Sequence, residues 1–227
     1  MYFTSVFPAA GRGDFAAARR FARIHDERNA PLSPHHRLHG VSVLLEVEEL
    51  AGRWDRVVEL EGRAEASVRS NLETPCIRNA RSLYVCALAR SYRGEEEQAG
   101  RLEEHANEVA LEGYGLTIDA LRIRLGLSRG DLGEVERLVG GEHTVPQVFH
   151  LESQAGLLDG LAVLRDRRTE AEAEPLLKPN TYLEPFALRA LGLVREDERL
   201  VERAIARFEA MGLDWYARQT RELVAQA

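Results

Sequence analysis

Three histidines near the start of one predicted helix are the first residues whose types and spacing suggest chemistry. His35, His36 and His39 offer imidazoles at positions i and i+3 or i+4, which share a helix face and suit a zinc ion. No carboxylate or cysteine stands at a matching spacing to complete a closed site. A histidine near a helix start is also commonly a polar surface residue. We therefore expect no metal and no cofactor.

Two acidic clusters, at 95–97 and 103–104, are the candidates for acid–base catalysis. Three acids at a helix start are sufficiently explained by the positive end of the helix dipole. The sequence has no Gly-x-Ser-x-Gly, His-Glu-x-x-His or Cys-x-x-Cys motif, so it offers no recognisable nucleophile, zinc site or redox pair. Lys178 is the only lysine, and it follows no glycine-rich loop. We expect the chain not to be an enzyme.

Composition and charge limit the partners of the chain. The formal net charge of −7 disfavours nucleic acid and anionic membranes, whose phosphates need a basic field. No apolar run approaches the roughly 20 residues that span a bilayer, and the N-terminal residues lack the basic start of a signal peptide. Cys76 and Cys86 would lie about 15 Å apart on one helix, too far for a disulfide. We expect a cytoplasmic protein with free thiols and no membrane contact.

A repeated turn divides the chain into helical pairs. Gly13, Gly52, Gly94 and Gly130 each stand where one helical pattern stops and the next begins, and a looser fifth copy starts at Asp166. The successive spacings are 39, 42, 36 and 36 residues. A glycine at such a place takes the left-handed conformation that ends a helix, and an acidic residue after it complements the next helix. The unit is therefore helix, tight turn, helix.

Apolar periodicity places helices on both sides of every turn and gives no strand-like alternation, so we expect no sheet. The Gly140–Gly141 doublet with Pro146 marks the strongest break. We expect one solenoid, with repeats over 1–139, a break at 140–146 and looser repeats over 147–227. The predicted helical segments are 1–10, 34–51, 54–71, 75–93, 95–112, 116–129, 131–139, 147–164, 169–177, 182–193, 197–211 and 213–225.

The turn element, most complete at 13–18 as Gly-Asp-Phe-Ala-Ala-Ala, resembles the turn between the helices of a tetratricopeptide repeat. The segment 204–221 is similar to one that closes the repeat region of MalT-like and LuxR-type bacterial regulators. The resemblance implies an all-α fold, a right-handed superhelix of about five to six antiparallel helix pairs. It transfers no catalytic residue. It implies a role in signal transduction or transcription regulation.

The concave face of such a superhelix is lined by the first helix of each pair, and it is where these proteins bind extended peptides or partner helices. Counting back from each turn glycine predicts which residues line it. We expect a continuous groove whose walls include Arg81, Tyr84 and Arg124, able to bind a peptide carboxylate or backbone. The predicted groove residues are His39, Ser42, Glu46, Glu49, Arg81, Tyr84, Leu88, Ser91, Tyr92, Thr117 and Arg124.

The sequence therefore favours a non-catalytic module that binds a protein or peptide segment and serves as the sensing or scaffold part of a regulator. The alternative is a ligand-responsive or DNA-responsive effector with a second functional half after residue 140. Self-association is a further expectation, because Tyr2, Phe3 and Phe7 form an apolar edge at the first helix. That edge would support a homodimer.

Overall fold

The structure, a computed structural model, describes residues 3–111, 115–141 and 149–226. Within these ranges the chain is all-helical, as predicted, with no strand. A short 3-10 turn at Glu174–Leu176 follows the tenth helix. The helices are α1 (Phe3–Gly11), α2 (Phe15–Asn29), α3 (Pro34–Leu50), α4 (Trp54–Ser70), α5 (Ile77–Tyr92), α6 (Glu96–Val109), α7 (Leu116–Arg129), α8 (Leu132–Val139), α9 (His150–Val163), α10 (Thr169–Ala173), α11 (Glu184–Arg195), α12 (Glu198–Ala210) and α13 (Asp214–Gln226).

The turn glycines adopt the predicted left-handed conformation, with φ of 77° at Gly13, 64° at Gly52, 74° at Gly94 and 71° at Gly130. Later turns use other residues for the same purpose. In the fifth copy the left-handed residue is Arg165, with φ of 50°, one position before the predicted Asp166. The remaining turns place Glu196 and Gly212 there, with φ of 53° and 69°.

Three of the acidic residues after these turns cap the helices that follow, whereas Glu95 makes no capping bond. Asp14 accepts a hydrogen bond from the backbone N–H of Ala17 at 2.9 Å, and Asp131 accepts one from Glu134 at 3.1 Å. Asp197 does the same for α12. Each carboxylate satisfies a backbone donor that the first helical turn leaves without a partner. At these three turns a left-handed residue therefore ends one helix and the aspartate after it begins the next.

Helices alternate between an inner and an outer row. The helices α3, α5, α7, α9 and α11 pack successively against one another and are buried over most of their length. The helices α2, α4, α6, α8 and α12 bury only one face. The small residues Ala64 and Ala106 are fully buried on outer helices. This alternation puts the polar residues of the inner row inside the molecule.

Glycines on α9 allow the closest helix approach. A Cβ built at Gly156 would lie 2.8 Å from the carbonyl oxygen of Ala120, on α7. At Gly160 it would lie 2.8 Å from side-chain carbons of Ile123 and Val139. Such contacts are too short for any larger side chain, so α7 and α9 are in backbone contact.

The last helices return to the first ones. The hydroxyl of Tyr216, on α13, donates a 2.9 Å hydrogen bond to the carbonyl oxygen of Glu49, 167 residues earlier. The backbone N–H of Tyr182 donates to the carbonyl oxygen of Gly11 at 2.8 Å. One hydrophobic cluster joins buried residues of α1, α2 and α3 to those of α9, α11, α12 and α13. The chain is therefore closed on itself rather than open along one side.

Several expectations concern residues near gaps in the description. Gly140 and Gly141 follow α8, but 142–146, with Pro146, lie outside the described residues, as do the predicted helix end at 112 and start at 147. Of the predicted apolar edge, Phe7 is partly buried and packs against the core, and Tyr2 lies outside the described residues.

The turn glycines allow a matched test of backbone conformation. A Cβ at Gly94 would meet no atom within 4 Å, so Gly94→Ala introduces only the strain of a left-handed alanine. We expect it to lower the free energy of unfolding by about 1–2 kcal/mol in urea titrations. Gly62→Ala, inside α4 and equally open, should raise it by about 0.5–1 kcal/mol. Equal effects of the two substitutions would contradict this account.

Candidate functional site

The inner row carries a group of charged side chains in its interior, which we name the charged belt. Its arginines are 2–3% exposed, and its carboxylates range from 1% to 9% exposed. Charged groups are almost never this enclosed unless they are paired. Within the described residues the belt consists of Glu46 and Glu49 of α3, Arg78 and Arg81 of α5, Arg124 of α7, Glu152 and Asp159 of α9, and Arg189 of α11.

One half of the belt joins α3, α5 and α9. Arg78 donates a hydrogen bond to Glu46. Arg81 donates to Glu49 at 2.7 Å and lies 3.8 Å from a carboxylate oxygen of Glu152. Charge-assisted hydrogen bonds of this kind hold the three helices in register, because sliding any helix would leave a buried charge alone.

The other half is centred on one carboxylate that binds two guanidinium groups. Asp159 accepts a 3.0 Å hydrogen bond from Arg124 and a second hydrogen bond from Arg189. Arg189 also donates to Gln219 at 3.0 Å and to the hydroxyl of Thr220 at 3.3 Å. The belt therefore runs from α3 across α5, α9, α7 and α11 to the buried face of α13.

Aromatic rings cover the guanidinium groups of the belt. The ring of Phe149 lies 4.8 Å from the guanidinium carbon of Arg78 and 4.6 Å from that of Arg81. Phe149 itself has φ of 65°, a left-handed conformation that is unfavourable for a bulky residue. Tyr216 covers Arg124 at 5.6 Å. These stacked rings exclude water while stabilising the cations.

Several belt atoms are buried without a hydrogen-bond partner among the described residues. Both carboxylate oxygens of Glu152, one oxygen each of Glu46 and Glu49, Nε of Arg81 and one terminal nitrogen of Arg124 are in this state. An unsatisfied buried polar atom costs about 1–3 kcal/mol, and more where the group is charged. The belt therefore contains equal numbers of arginines and acidic residues but is incomplete in its hydrogen bonds.

Burial alters the ionisation of the acidic groups. Desolvation raises the pKa of Glu152 to about 8, although Arg81 acts in the opposite direction. Desolvation likewise raises the pKa of Glu46, and Arg78 and Arg81 oppose that shift. Burial therefore favours the protonated form of Glu152.

The prediction of an open groove walled by Arg81, Tyr84 and Arg124 is corrected by the structure. All three side chains are buried, at 2%, 1% and 2% exposure. Tyr84 also points elsewhere, since its hydroxyl donates to Asn107 on α6. The physical reason is the closure of the chain: Glu152 of α9 lies beside Arg81, and Tyr216 of α13 bonds the carbonyl oxygen of Glu49, so this face is not open to solvent. A ligand would reach the belt only after a helix moved.

The other predicted groove residues are divided among three environments. Four of the predicted residues, Glu46, Glu49, Arg81 and Arg124, belong to the charged belt. Five others contact neighbouring helices. The hydroxyl of Ser42 hydrogen-bonds that of Ser82 at 2.7 Å, and the hydroxyl of Ser91 hydrogen-bonds Glu96 and Ser128. Tyr92 packs on Trp54 and Trp215, and Leu88 and Thr117 are buried. His39 stands apart, beside Cys76, and burial lowers its pKa to about 4.

Four belt residues escaped the sequence prediction, namely Arg78, Glu152, Asp159 and Arg189. A signal for two of them was present. Asp159 and Arg189 are isolated charges within α9 and α11, whose other positions are largely apolar and buried. A lone charge in an otherwise buried helix indicates a buried partner. For Arg78 and Glu152 we find no comparable local signal.

The acidic clusters near residues 95 and 103 form surface ion pairs. Glu95 pairs with Arg90 and Arg93, and the carboxylates of Glu96 and Glu103 both bind Arg129. The contacts with Arg129 join α6 to α7 of the next helical pair, whereas those of Glu95 lie within its own pair. Exposed pairs of this kind contribute little to stability individually.

Comparison of the chain with protein-family models, curated proteins and solved structures finds no match. The resemblance to tetratricopeptide repeats therefore stays a prediction. Among the described helices, none combines the length and apolar character required to cross a membrane.

Replacing a buried arginine of the belt should destabilise the fold more than replacing an exposed arginine. Arg81→Met leaves Glu49 and Glu152 buried without their cation, and we expect it to lower the free energy of unfolding by about 3–5 kcal/mol. Arg56→Met removes an exposed pair with Glu59 and should change it by less than about 1 kcal/mol. Urea titration of both variants provides the measurement. A cost below 1 kcal/mol for Arg81→Met would show that the belt does not hold the helices.

Glu152 also predicts how stability depends on pH. The folded chain holds a proton on Glu152 up to a pKa of about 8, whereas the unfolded chain releases it near 4.5. Stability from this group is therefore lost as pH rises through that window, by up to about 1.4 kcal/mol per pH unit. The lowered pKa values of His25, His39 and His150 have the opposite effect, because stability from these histidines is lost as the pH falls below 6.5.

The measurement therefore compares wild type with Glu152→Gln in urea between pH 6.5 and 8. Glutamine imitates the protonated acid and cannot titrate. We expect the variant to lose less stability than wild type over this interval, and parallel curves would contradict the assignment.

Proposed function

We propose that the chain is a non-catalytic, tetratricopeptide-like module that binds a protein or peptide segment along its inner helices. In this proposal the helix pairs form a right-handed superhelix that is short and closed, so that its last helices contact its first ones. The module would serve as the sensing or scaffold part of a bacterial signalling or transcription regulator. The regular alternation of inner and outer helices and the left-handed residue in successive turns support the repeat.

The observation that carries the proposal is the charged belt with its unpaired atoms. Replacing a buried ion pair by apolar residues is often neutral or stabilising, so a chain needing only stability would gain little from these charges. The belt lies on the face that helical-repeat modules use for binding. Polar groups that are enclosed and incompletely bonded are typical of a site that a ligand completes.

The atoms of the belt define the chemistry of the segment. The free oxygens of Glu46, Glu49 and Glu152 are acceptors and suit the N–H groups of arginine, lysine or a peptide backbone. The free nitrogens of Arg81 and Arg124 suit a carbonyl or carboxylate. A peptide offers both kinds of group at short spacing. A cationic side chain opposite Glu152 would also release its proton on binding.

The chain's own last helix occupies part of this face. The buried face of α13 presents the Tyr216 hydroxyl to α3 and the Gln219 and Thr220 side chains to Arg189. The C-terminal half of α13 is largely exposed, with Val224 42% exposed. We propose that a partner segment enters by displacing α13, whose contacts imitate those of the partner.

A displayed library of random peptides tests the function. We expect selection on the full chain to enrich peptides with arginine or lysine next to polar residues. Their binding should move α13 and separate Trp54 from Trp215, whose ring centroids are 5.3 Å apart and which are the two tryptophans of the chain. Their fluorescence should shift to longer wavelength when peptide is added.

Variants distinguish belt binding from adhesion to the surface. Glu49→Gln and Glu152→Gln should weaken the enriched peptides by about tenfold or more, since each removes a hydrogen bond to a charged group. Glu59→Gln, an exposed acidic residue on α4, should leave the affinity unchanged. Enriched peptides that bind all three variants like wild type would refute the proposed site, and failure to enrich any peptide would refute peptide binding.

A further inference from the structure

Two histidines of α3 and a cysteine at the start of α5 meet outside the charged belt. His35 and His39 are one helical turn apart, and Cys76 is the residue that precedes α5. One potential ligand atom from each residue lies within 4.8 Å of the other two. The sequence spacing had argued against a metal because no cysteine was near the histidines. The fold supplies one from 37 positions further along the chain.

The position of Cys76 is fixed by a buried amide network. Asn71 and Asn79 are 0% and 1% exposed, and Nδ2 of Asn71 donates 3.0 Å hydrogen bonds to Oδ1 of Asn79 and to the carbonyl oxygen of Thr74. Oδ1 of Asn79 also accepts from the backbone N–H of Cys76 at 3.0 Å. The loop is therefore held rigidly, and the thiol is presented to α3 without a further ordering step.

His35 has the second contact that metal-binding histidines typically make. Its Nδ1 lies 3.2 Å from the carbonyl oxygen of Thr74. When Nδ1 donates its proton to that oxygen, Nε2 is left with the lone pair that binds a metal. A carbonyl in this place fixes both the tautomer and the orientation of the ring. His36 is engaged differently, because its Nδ1 lies 2.8 Å from the hydroxyl of Ser33.

The distances are close to those of a tetrahedral zinc site. Zinc bonds of about 2.0–2.1 Å to nitrogen and 2.3 Å to sulfur place a ligating nitrogen and sulfur about 3.5 Å apart. Sγ of Cys76 and Nε2 of His39 are 3.7 Å apart. The outer limit of 4.8 Å among the three atoms requires side-chain rotation but no movement of a helix. All three residues are partly exposed, so an ion can reach them.

Charge near the site is compatible with a dication. Arg78 is the cation whose charge acts most strongly on His39, and its guanidinium is paired with Glu46. The thiolate supplies one negative charge on binding. Imidazole and thiolate together are ligands that zinc prefers, whereas magnesium and calcium prefer oxygen.

We propose that His35, His39 and Cys76 bind one Zn²⁺ ion, with water in the fourth position. The reaction is balanced by loss of one proton: the Cys76 thiol releases its proton to solvent as the zinc–sulfur bond forms. Bound zinc joins the first turns of α3 to the start of α5. Bound zinc therefore stabilises the packing of α3 against α5, the helices that carry Glu46 and Arg78. Zinc binding does not depend on the proposed peptide binding.

Metal titration of the full chain tests the site. Chain stripped with a chelator and kept reduced should bind one zinc ion by calorimetry, and zinc should raise the temperature of unfolding. Cobalt in place of zinc should give the near-ultraviolet band of a thiolate–cobalt bond. Absence of zinc binding, or cobalt spectra without a sulfur band, would overturn the proposal.

Substitutions assign the ligands. Cys76→Ser should abolish the sulfur band and lower zinc affinity by about tenfold or more. Substituting a residue that only hydrogen-bonds a metal ligand already lowers affinity by about this amount. Serine is a favourable residue before a helix, so this variant should remain folded. His39→Asn and His35→Asn should also weaken zinc by about tenfold or more. His36→Asn and Cys86→Ala, which alter a neighbouring imidazole and the buried second thiol, should retain both affinity and band. Unchanged affinity in the Cys76 variant would exclude the site.

Alkylation provides a readout without substitution. Cys76 is partly exposed and Cys86 is buried, so mass spectrometry after iodoacetamide treatment should report mainly Cys76. Zinc should slow its modification, and magnesium should not. Equal rates of modification with and without zinc would contradict coordination by this thiol.

Discussion

Asp159 holds two buried guanidinium groups, those of Arg124 on α7 and Arg189 on α11, and much of the inner architecture depends on this arrangement. A carboxylate without its cations, or a cation without its carboxylate, would be left in a medium that solvates neither. The three helices must therefore keep one register. The same rule extends through Arg81 to Glu152 and Glu49, so that the charged belt fixes how α3, α5, α7, α9 and α11 lie together.

The closure of the chain brings its last helix, α13, against the inner helices that carry the belt. Tyr216 bonds Glu49 across 167 residues, and Trp215 packs on Trp54 and Tyr92. Aromatic packing of this kind contributes to stability. In the proposed function the last helix is the element that leaves the inner face. A closed form stabilised by α13 and an open form stabilised by a partner would compete for the same polar groups.

The start of α5 links the two sites. Cys76 faces the histidines of α3, while Arg78, two residues later, pairs with Glu46 in the belt and stacks on Phe149. The buried Asn71 and Asn79 hold this segment in place. A metal ion bound at Cys76 would therefore restrain the same first turn of α5 that supplies the belt with its cations.

The sequence by itself determined the helices, their turns and the residue types of the inner face. The left-handed φ of Gly13, Gly52, Gly94 and Gly130 was predictable because a turn is a local event, decided by residues a few positions apart. Glu46, Glu49, Arg81 and Arg124, which the sequence predicted to line an open groove, lie buried in the charged belt.

Only the tertiary structure decided whether that face is open and what stands opposite each charge. The closure by α9 and α13, the pairing of Asp159 with two arginines and the meeting of Cys76 with His39 join residues about thirty or more positions apart. No periodic pattern encodes such contacts, because periodicity reports which face of a helix is buried and not which distant residue packs against it.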